Sequence, residues 1–384
     1  MPACASWYVG PMWVVPGELE DAVLAATRAV LGDAALAPAA LHAAVIDRSA
    51  RYTSDRDKLA RPVDRIADLA ARAAFFTIAD AMKIAIPLGE LRGRGALPAR
   101  TLRVIDLGAG CGAMGLGLIA CGVALDYLGL DRDGEALRIA ERAICDLARL
   151  RGTEAKVEVR SCDVTKEPVP PADLVVIGML LNELPVASRL ALVQKAIAAI
   201  RDDGAVIIIE PALRETSREL HLLRDTILTM GAAHVFAPCT RRTTPCPMLE
   251  RETDWCHEER FVRLPPHTAE VSRVTHLRDA PLKFSYLVLR RAATPLVEAG
   301  GAAWRLVSAP VSPKGKTEIL GCSDEGHKTI RLMKRHRNEQ TKVLERVRRG
   351  NVLVIDTPAN PERLEVLSDT RLELVDTSAA TETA

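Results

Sequence analysis

Three groups of side chains in this 384-residue chain could do chemistry. The first is Asp106-Leu-Gly108-Ala-Gly110-Cys-Gly112. Gly108 permits a tight turn, Gly110 lets a ligand approach the backbone, and Gly112 lets the next helix pack close. Asp131 follows Gly108 by 23 residues, where an acid ending a second strand can accept hydrogen bonds from both ribose hydroxyls. The pattern is one of nucleotide-cofactor binding, with Asp163 as a further candidate after a third strand. The second group is Cys239, Cys246, Cys256 and Cys322, with proline beside the first two. Four thiolates suit a tetrahedral zinc or an iron–sulfur cube. The spacing fits no common zinc finger, so both remain open, and His257 is read as a neighbouring hydrogen-bonding group. The third group is residues 328–349, with nine Lys or Arg against two acids. It includes Lys334, Arg335, Arg337, Lys342, Arg346, Arg348 and Arg349. The segment carries +7 within a chain of net +1, an electrostatic footprint for phosphate, with a solvated helix face as the equal alternative. Arg305, Lys314 and Lys316 lie near enough in sequence to join it.

These groups need elements to hold them. Residues 17–92 read as helical, with apolar residues every three to four positions, and Gly93 to Pro98 ends that region. Strands then alternate with helices. Leu102–Leu107 is a strand and 115–124 a helix. Further strands are expected at Asp126–Asp131, Val157–Arg160, Ala172–Ile177 and Gly204–Glu210, with helices near Val186–Ile200 and Thr216–Leu228. Such alternation indicates a parallel, doubly wound α/β sheet. Phe284–Arg290 closes it, and short strands follow from Trp304. The expected organisation is a helical N-terminal region (1–98) and a Rossmann-like domain (99–234 and 281–292). A cysteine-rich metal-binding insertion (235–280), a small basic β-rich extension (300–376) and a disordered tail (377–384) complete it.

The glycine loop with its ribose acid resembles class I S-adenosylmethionine-dependent methyltransferases more than nicotinamide enzymes, whose last glycine gap is wider. Asp163 stands where that class often contacts the adenine amino group. After the fourth strand comes Gly178-Met-Leu-Leu-Asn182-Glu183-Leu-Pro185, without the Asn-Pro-Pro-aromatic motif of amino-methylating enzymes. No cysteine is placed there as a nucleophile for cytosine C5. Asn182 and Glu183 are weak catalytic candidates for which loop support is an equal reading.

Composition sets the outer limits. Hydrophobic residues at 48% and charged residues at 26% describe a globular protein, and 3% aromatics argue against a base-stacking surface. No apolar stretch is long enough to span a bilayer, so no membrane partner is expected. The first residues do not read as a secretory signal, so cytoplasmic localisation is expected. Nine cysteines in a reducing compartment suggest metal before disulfides.

The run Pro-Cys239, Pro-Cys246-Pro, Asp-Trp-Cys256-His behind such a domain resembles the methyltransferase-like small-ribosomal-subunit assembly factors of mitochondria and their bacterial relatives. The resemblance spans about 40–355 and includes Lys314-Gly315, Cys322-Ser-Asp-Glu-Gly326 and Arg349-Gly350-Asn351. It implies S-adenosylmethionine as cofactor and a 4Fe-4S cluster on Cys239, Cys246, Cys256 and Cys322. It also implies binding to small-subunit rRNA, with methylation, assembly or both as the activity. The first three cysteines are spaced slightly wider than in the family, and Glu258-Glu-Arg after them is acidic. A small-molecule methyltransferase is the other enzyme reading, and it leaves the basic extension unused.

Overall fold

A computed structural model describes residues 13–53, 63–278, 281–294, 302–356 and 362–375; the 377–384 tail lies outside them. The main sheet contains β1 (Leu102–Leu107), β2 (Leu125–Asp131), β3 (Ala155–Ser161), β4 (Ala172–Gly178), β5 (Ile200–Pro211), β6 (His234–Ala237) and β7 (Leu282–Arg290). Their spatial order is 3-2-1-4-5-7-6. The first five are parallel, and β7 runs antiparallel to both β5 and β6. Leu174–Ile177 of β4 and Ala205–Ile209 of β5 read as continuous apolar runs because both faces of the sheet are covered.

Helices α1 (Gly17–Leu31), α2 (Pro38–Tyr52), α3 (Arg65–Ala71) and α4 (Ala85–Gly93) precede the sheet. α5 (Ala113–Ala120), α6 (Gly134–Arg151), α7 (Val186–Ala199), α8 (Arg214–Thr229) and α9 (Pro266–Thr275) follow or interrupt it. One face is buried by α1, α4, α5 and α6, through Leu19, Leu88, Leu116 and Ile139. The other is buried by α7 and α8, through Leu192, Ile197, Leu220 and Ile227. α5 begins two residues earlier than the sequence suggested, because Gly112 at φ 85 turns the chain directly into it.

Between α3 and α4 the chain stays helical but changes pitch. Arg72–Thr77 forms a π turn, Ile78–Asp80 one α turn, and Ala81–Ile84 a 3-10 turn. This irregular stretch lies backbone to backbone on α5, where a Cβ at Gly117 would run into the Ala81 carbonyl oxygen.

The region expected as an insertion starts inside β6, so its first residues belong to the main sheet. Four residues of strand are too short to show a period. Beyond it, Glu258–Arg260 pairs with the start of β7, and Val262–Arg263 pairs in parallel with Trp13–Val14. Glu20 of α1 accepts hydrogen bonds from the backbone N–H of His267 (3.0 Å) and Thr268 (2.7 Å). It thereby caps α9, whose N-cap residue Pro265 has no polar side chain of its own.

The extension is a second sheet of β8 (Ala302–Leu306), β9 (Lys316–Ser323), β10 (Gly326–Met333), β11 (Val352–Asp356), β12 (Arg363–Val366) and β13 (Arg371–Val375). Their order is 12-10-9-8-11-13, around a core of Trp304, Ile319, Ile330, Leu344 and Leu353. The basic run starts inside β10, with Lys328 and Arg331 on the strand, and continues through the connection to β11. That connection forms two 3-10 turns, Lys334–His336 and Thr341–Glu345, rather than a helix face.

Candidate functional site

A pocket of about 550 Å³ opens at the carboxyl ends of β1, β2, β4 and β5, where open α/β sheets place their ligands. Asp106, Gly108, Gly110, Asp131, Asn182 and Glu183 all line it. Gly108 and Gly110 take φ values of 77° and 52°, which side chains rarely adopt. Asp131 fixes the loop: Oδ2 accepts from the Gly110 N–H and Oδ1 from the Asp133 N–H, each at 2.9 Å. Gly112 stays off the pocket and serves packing, since a Cβ there would stand 2.9 Å from Ala140 Cβ of α6.

Asp106 is buried at the end of β1 and accepts a hydrogen bond from Tyr127 Oη at 2.8 Å. Burial pushes its carboxyl up to about 7, aided by the Asp131 charge and opposed by the Tyr127 hydroxyl. Asp163 does not line this pocket. It accepts from Thr165 N (3.1 Å) and Oγ1 (2.6 Å) and pairs with Arg132 at 2.8 Å. The Thr165 hydroxyl and Arg132 hold its carboxyl well below the usual range.

Asn182 and Glu183 sit on a 3-10 turn, Leu181–Glu183, built by Glu210 at the end of β5. Glu210 accepts from the Leu181 N–H (2.9 Å) and the Asn182 N–H (3.1 Å). Burial pushes its carboxyl up to about 8 against those two bonds. Asn182 Oδ1 is buried without a hydrogen-bond partner. Tyr52 Oη donates to Glu183 Oε1 at 2.8 Å, and burial with the Glu183 charge raises Tyr52 to about 12.

Sequence reasoning missed the wall contributed by the N-terminal helices: Arg48, Tyr52, Arg72, Phe76, Asp80 and Lys83. Its trace was available, because Arg72, Phe76, Asp80 and Lys83 recur every three to four residues. Arg72 pairs with Asp133 at 2.9 Å beside the glycine loop.

The four cysteines line a second, smaller cavity of about 50 Å³, together with His221, Arg224, His257 and Arg305. Cys239 and Cys246 follow β6, Cys256 precedes the Glu258 strand, and Cys322 comes from β9 in the extension. Neighbouring bonds fix this convergence. The Cys246 N–H donates to Asp225 at 2.7 Å, the Cys256 N–H to His221 Nε2 at 3.1 Å, and Thr240 Oγ1 to the Cys322 carbonyl at 2.9 Å. Burial and then the neighbouring thiol groups push Cys246 and Cys256 up to about 12, and Cys322 well above its ordinary value. Among the described residues, no group of three or more His, Cys, Asp or Glu side chains is arranged to hold a metal ion.

In the basic run, Lys334, Arg335, Arg337 and Arg346 are exposed, while Lys342, Arg348 and Arg349 are half-buried. Arg337 pairs with Glu345 at 2.7 Å, Lys342 pairs with Glu339, and Arg349 donates to the His257 carbonyl at 3.3 Å. Arg305 is not part of this surface. It is buried, pairs with Glu90 of α4 at 2.7 Å and donates to the Gly350 carbonyl at 2.5 Å. Lys316 pairs with Glu318 at 2.9 Å.

A 3-2-1-4-5-7-6 sheet with an antiparallel seventh strand, and a glycine loop and acid at its carboxyl edge, define an α/β protein of the class I methyltransferase type. A family model described as "Mitochondrial small ribosomal subunit Rsm22" matches residues 99–352, more than half of the chain, and the chain belongs to that family. Among solved structures, it is similar to a magnesium protoporphyrin IX methyltransferase from Synechocystis with bound SAH. Identity there is 12% over 65% of this chain and 99% of that one, with a TM-score of 0.36. It is also similar to a ribosomal protein L11 methylase from Lactobacillus delbrueckii, at 14% identity over 54% and 79% of the two chains and TM-score 0.32. An O-methyltransferase family protein from Burkholderia thailandensis gives 17%, 66% and 72%, with TM-score 0.35. No curated protein matches the chain. No helix among the described residues is long and apolar enough to cross a membrane.

Proposed function

We propose that this protein binds S-adenosylmethionine in the larger pocket and acts on the small ribosomal subunit or its rRNA, by methylation, assembly or both. The observation that carries the reading is the meeting of Gly108, Gly110 and Asp131 at the mouth of a cavity of about 550 Å³, a volume typical of cofactor sites. Asp131 would receive the ribose hydroxyls, and Asp106 would face the ligand from beneath. The family description supports the subunit as partner. Exposed Lys334, Arg335, Arg337 and Arg346 support contact with rRNA phosphates, with Lys342, Arg348 and Arg349 at the base of that surface.

Methyl transfer is favoured by Asn182 Oδ1, a buried acceptor with no partner, which could orient an N–H of the acceptor. A non-catalytic platform is favoured by Glu183, whose carboxylate already receives Tyr52. Label from S-adenosylmethionine entering one rRNA fragment of immature small subunits, and lost in Asp131→Ala, establishes the enzyme. Subunit binding without label, with calorimetric cofactor binding intact, establishes the platform.

The cysteine cavity supports a 4Fe-4S cluster as a second resident group. Four thiols form the complete donor set of such a cluster. Cys239, Cys246, Cys256 and Cys322 would hold it, and the cluster would supply bonds joining the extension to the methyltransferase-like domain. Iron and acid-labile sulfide in equal amounts in anaerobically prepared protein support it; one tightly held zinc and no iron rejects it.

A further inference from the structure

Part of the larger pocket's wall carries more positive charge than its own acids balance. Lys83 is 2% exposed. Its Nζ lies 2.9 Å from Asp80 Oδ1, and Arg278 Nη2 donates to the same oxygen at 3.0 Å. Two cations therefore share one carboxylate. The nearby Glu210 does not restore balance, because burial keeps its carboxyl protonated up to about pH 8. Burial, together with the Arg278 charge, lowers Lys83 to about 8 against the pull of Asp80. A buried surplus charge of this kind is costly until a counter-ion joins it.

The backbone adds a second, independent observation. Three non-glycine residues among those described have positive φ: Met179, His276 and Arg278, at 57°, 55° and 65°. Met179 and Arg278 both line this pocket, and such backbone strain concentrates at ligand sites. The strained turn after α9 carries Arg278 over the Phe76 ring, 5.8 Å from its centroid. There its Nε is buried without a hydrogen-bond partner. Lys283 lines the same pocket, with its Nζ 3.7 Å from Glu259. The pitch change between α3 and α4 brings Asp80 and Lys83 to this place, as π turns often do at functional sites.

We propose that Lys83 and Arg278, set on Asp80, form an anion subsite that receives a phosphate of the acceptor, which is therefore a nucleotide. The proposal rests on the reading of this pocket as the place where cofactor and acceptor meet. A guanidinium with an unpartnered N–H suits phosphate oxygens. The exposed basic run on the extension favours a phosphate-bearing polymer over an acidic protein segment.

The test is calorimetric titration of the full chain with the four nucleoside 5′-monophosphates and the four parent nucleosides, with and without saturating S-adenosylhomocysteine. At least one monophosphate should bind about tenfold more tightly than its nucleoside. Inorganic phosphate should compete with it, and chloride at matched ionic strength should not. Arg278→Gln should abolish the advantage, Arg278→Lys should restore part of it, and S-adenosylhomocysteine should bind both variants as it binds the parent. Equal binding of monophosphate and nucleoside, or no binding of either, overturns the subsite. Competition by acetate as strong as that by phosphate overturns the nucleotide assignment. If Arg278→Gln does not fold, the competition on the unaltered protein decides. A phosphate advantage in protein that binds no S-adenosylhomocysteine supports the subsite and rejects the cofactor reading; cofactor binding without that advantage does the reverse.

Discussion

The two cavities differ tenfold in size, about 550 Å³ against about 50 Å³, and they are assembled differently. The larger sits on the ends of a rigid sheet, and its central residues come from one short stretch, Asp106 to Gly112, plus Asp131. The smaller collects Cys239, Cys246, Cys256 and Cys322 from three separate segments, one of them in the extension. In the larger, each acid meets a donor, as Asp131 meets the Gly110 N–H and Asp133 meets Arg72. In the smaller, the thiols crowd together, and burial, then the neighbouring thiol groups, raise Cys246, Cys256 and Cys322. A bound cation would relieve that repulsion, because metal binding stabilises thiolates and couples to folding. The first is thus a site the fold already supports. The second is a junction where the extension meets the main domain.

If this contrast holds, changes at one cavity should leave the other intact. The largest effect should come from Cys322→Ser. If the proposed cluster occupies the cavity, iron content measured on purified protein should fall to near nothing in this variant, while calorimetric S-adenosylhomocysteine affinity stays the same. Retained iron would exclude the extension as a ligand donor. Next comes Arg305→Ala, which removes the guanidinium from its buried ion pair with Glu90. Urea unfolding should show a loss of ~3–5 kcal/mol, centred on the extension, whereas an exposed Arg305 would cost almost nothing. Asp131→Asn should weaken S-adenosylhomocysteine by ~10–100-fold, the range for losing hydrogen bonds to a charged group, without changing metal content.

The smallest effect concerns pH. Asp106, raised to about 7, is neutral at pH 6 and ionised at pH 8. An added negative charge favours the sulfonium of S-adenosylmethionine but not neutral-sulfur S-adenosylhomocysteine. The affinity ratio of the two should therefore rise a few-fold as pH passes through 7. Asp106→Asn should flatten that rise. A flat profile in the unaltered protein would place Asp106 out of reach of the ligand.

Most of the sheet was legible in the sequence because its strands are apolar runs bounded by turns, and because the glycine loop is a local motif. β6 was not, being only four residues long. The basic run was visible as charge but not as geometry: Arg305 looked like a surface cation, and only its tertiary partner Glu90 shows otherwise. Asp163 occupied the expected place after β3, yet its oxygens are engaged by Thr165 and Arg132. Lys83 and Arg278 meet across almost two hundred residues of chain through Asp80. No spacing rule could pair them, since contact between them exists only once α9 is docked.

Gly117 touches no candidate ligand, yet it sets how wide the larger pocket is. Its bare Cα lets the Ala81–Ile84 turn rest directly on α5, and that turn belongs to the wall carrying Asp80 and Lys83. An alanine at 117 would shove this wall inward or outward by the bulk of one methyl group, and the change would be felt as altered ligand fit. The same contact means the N-terminal helices cannot swing away like a flap without parting two backbones. The dimensions of the chamber on that side are therefore fixed from behind.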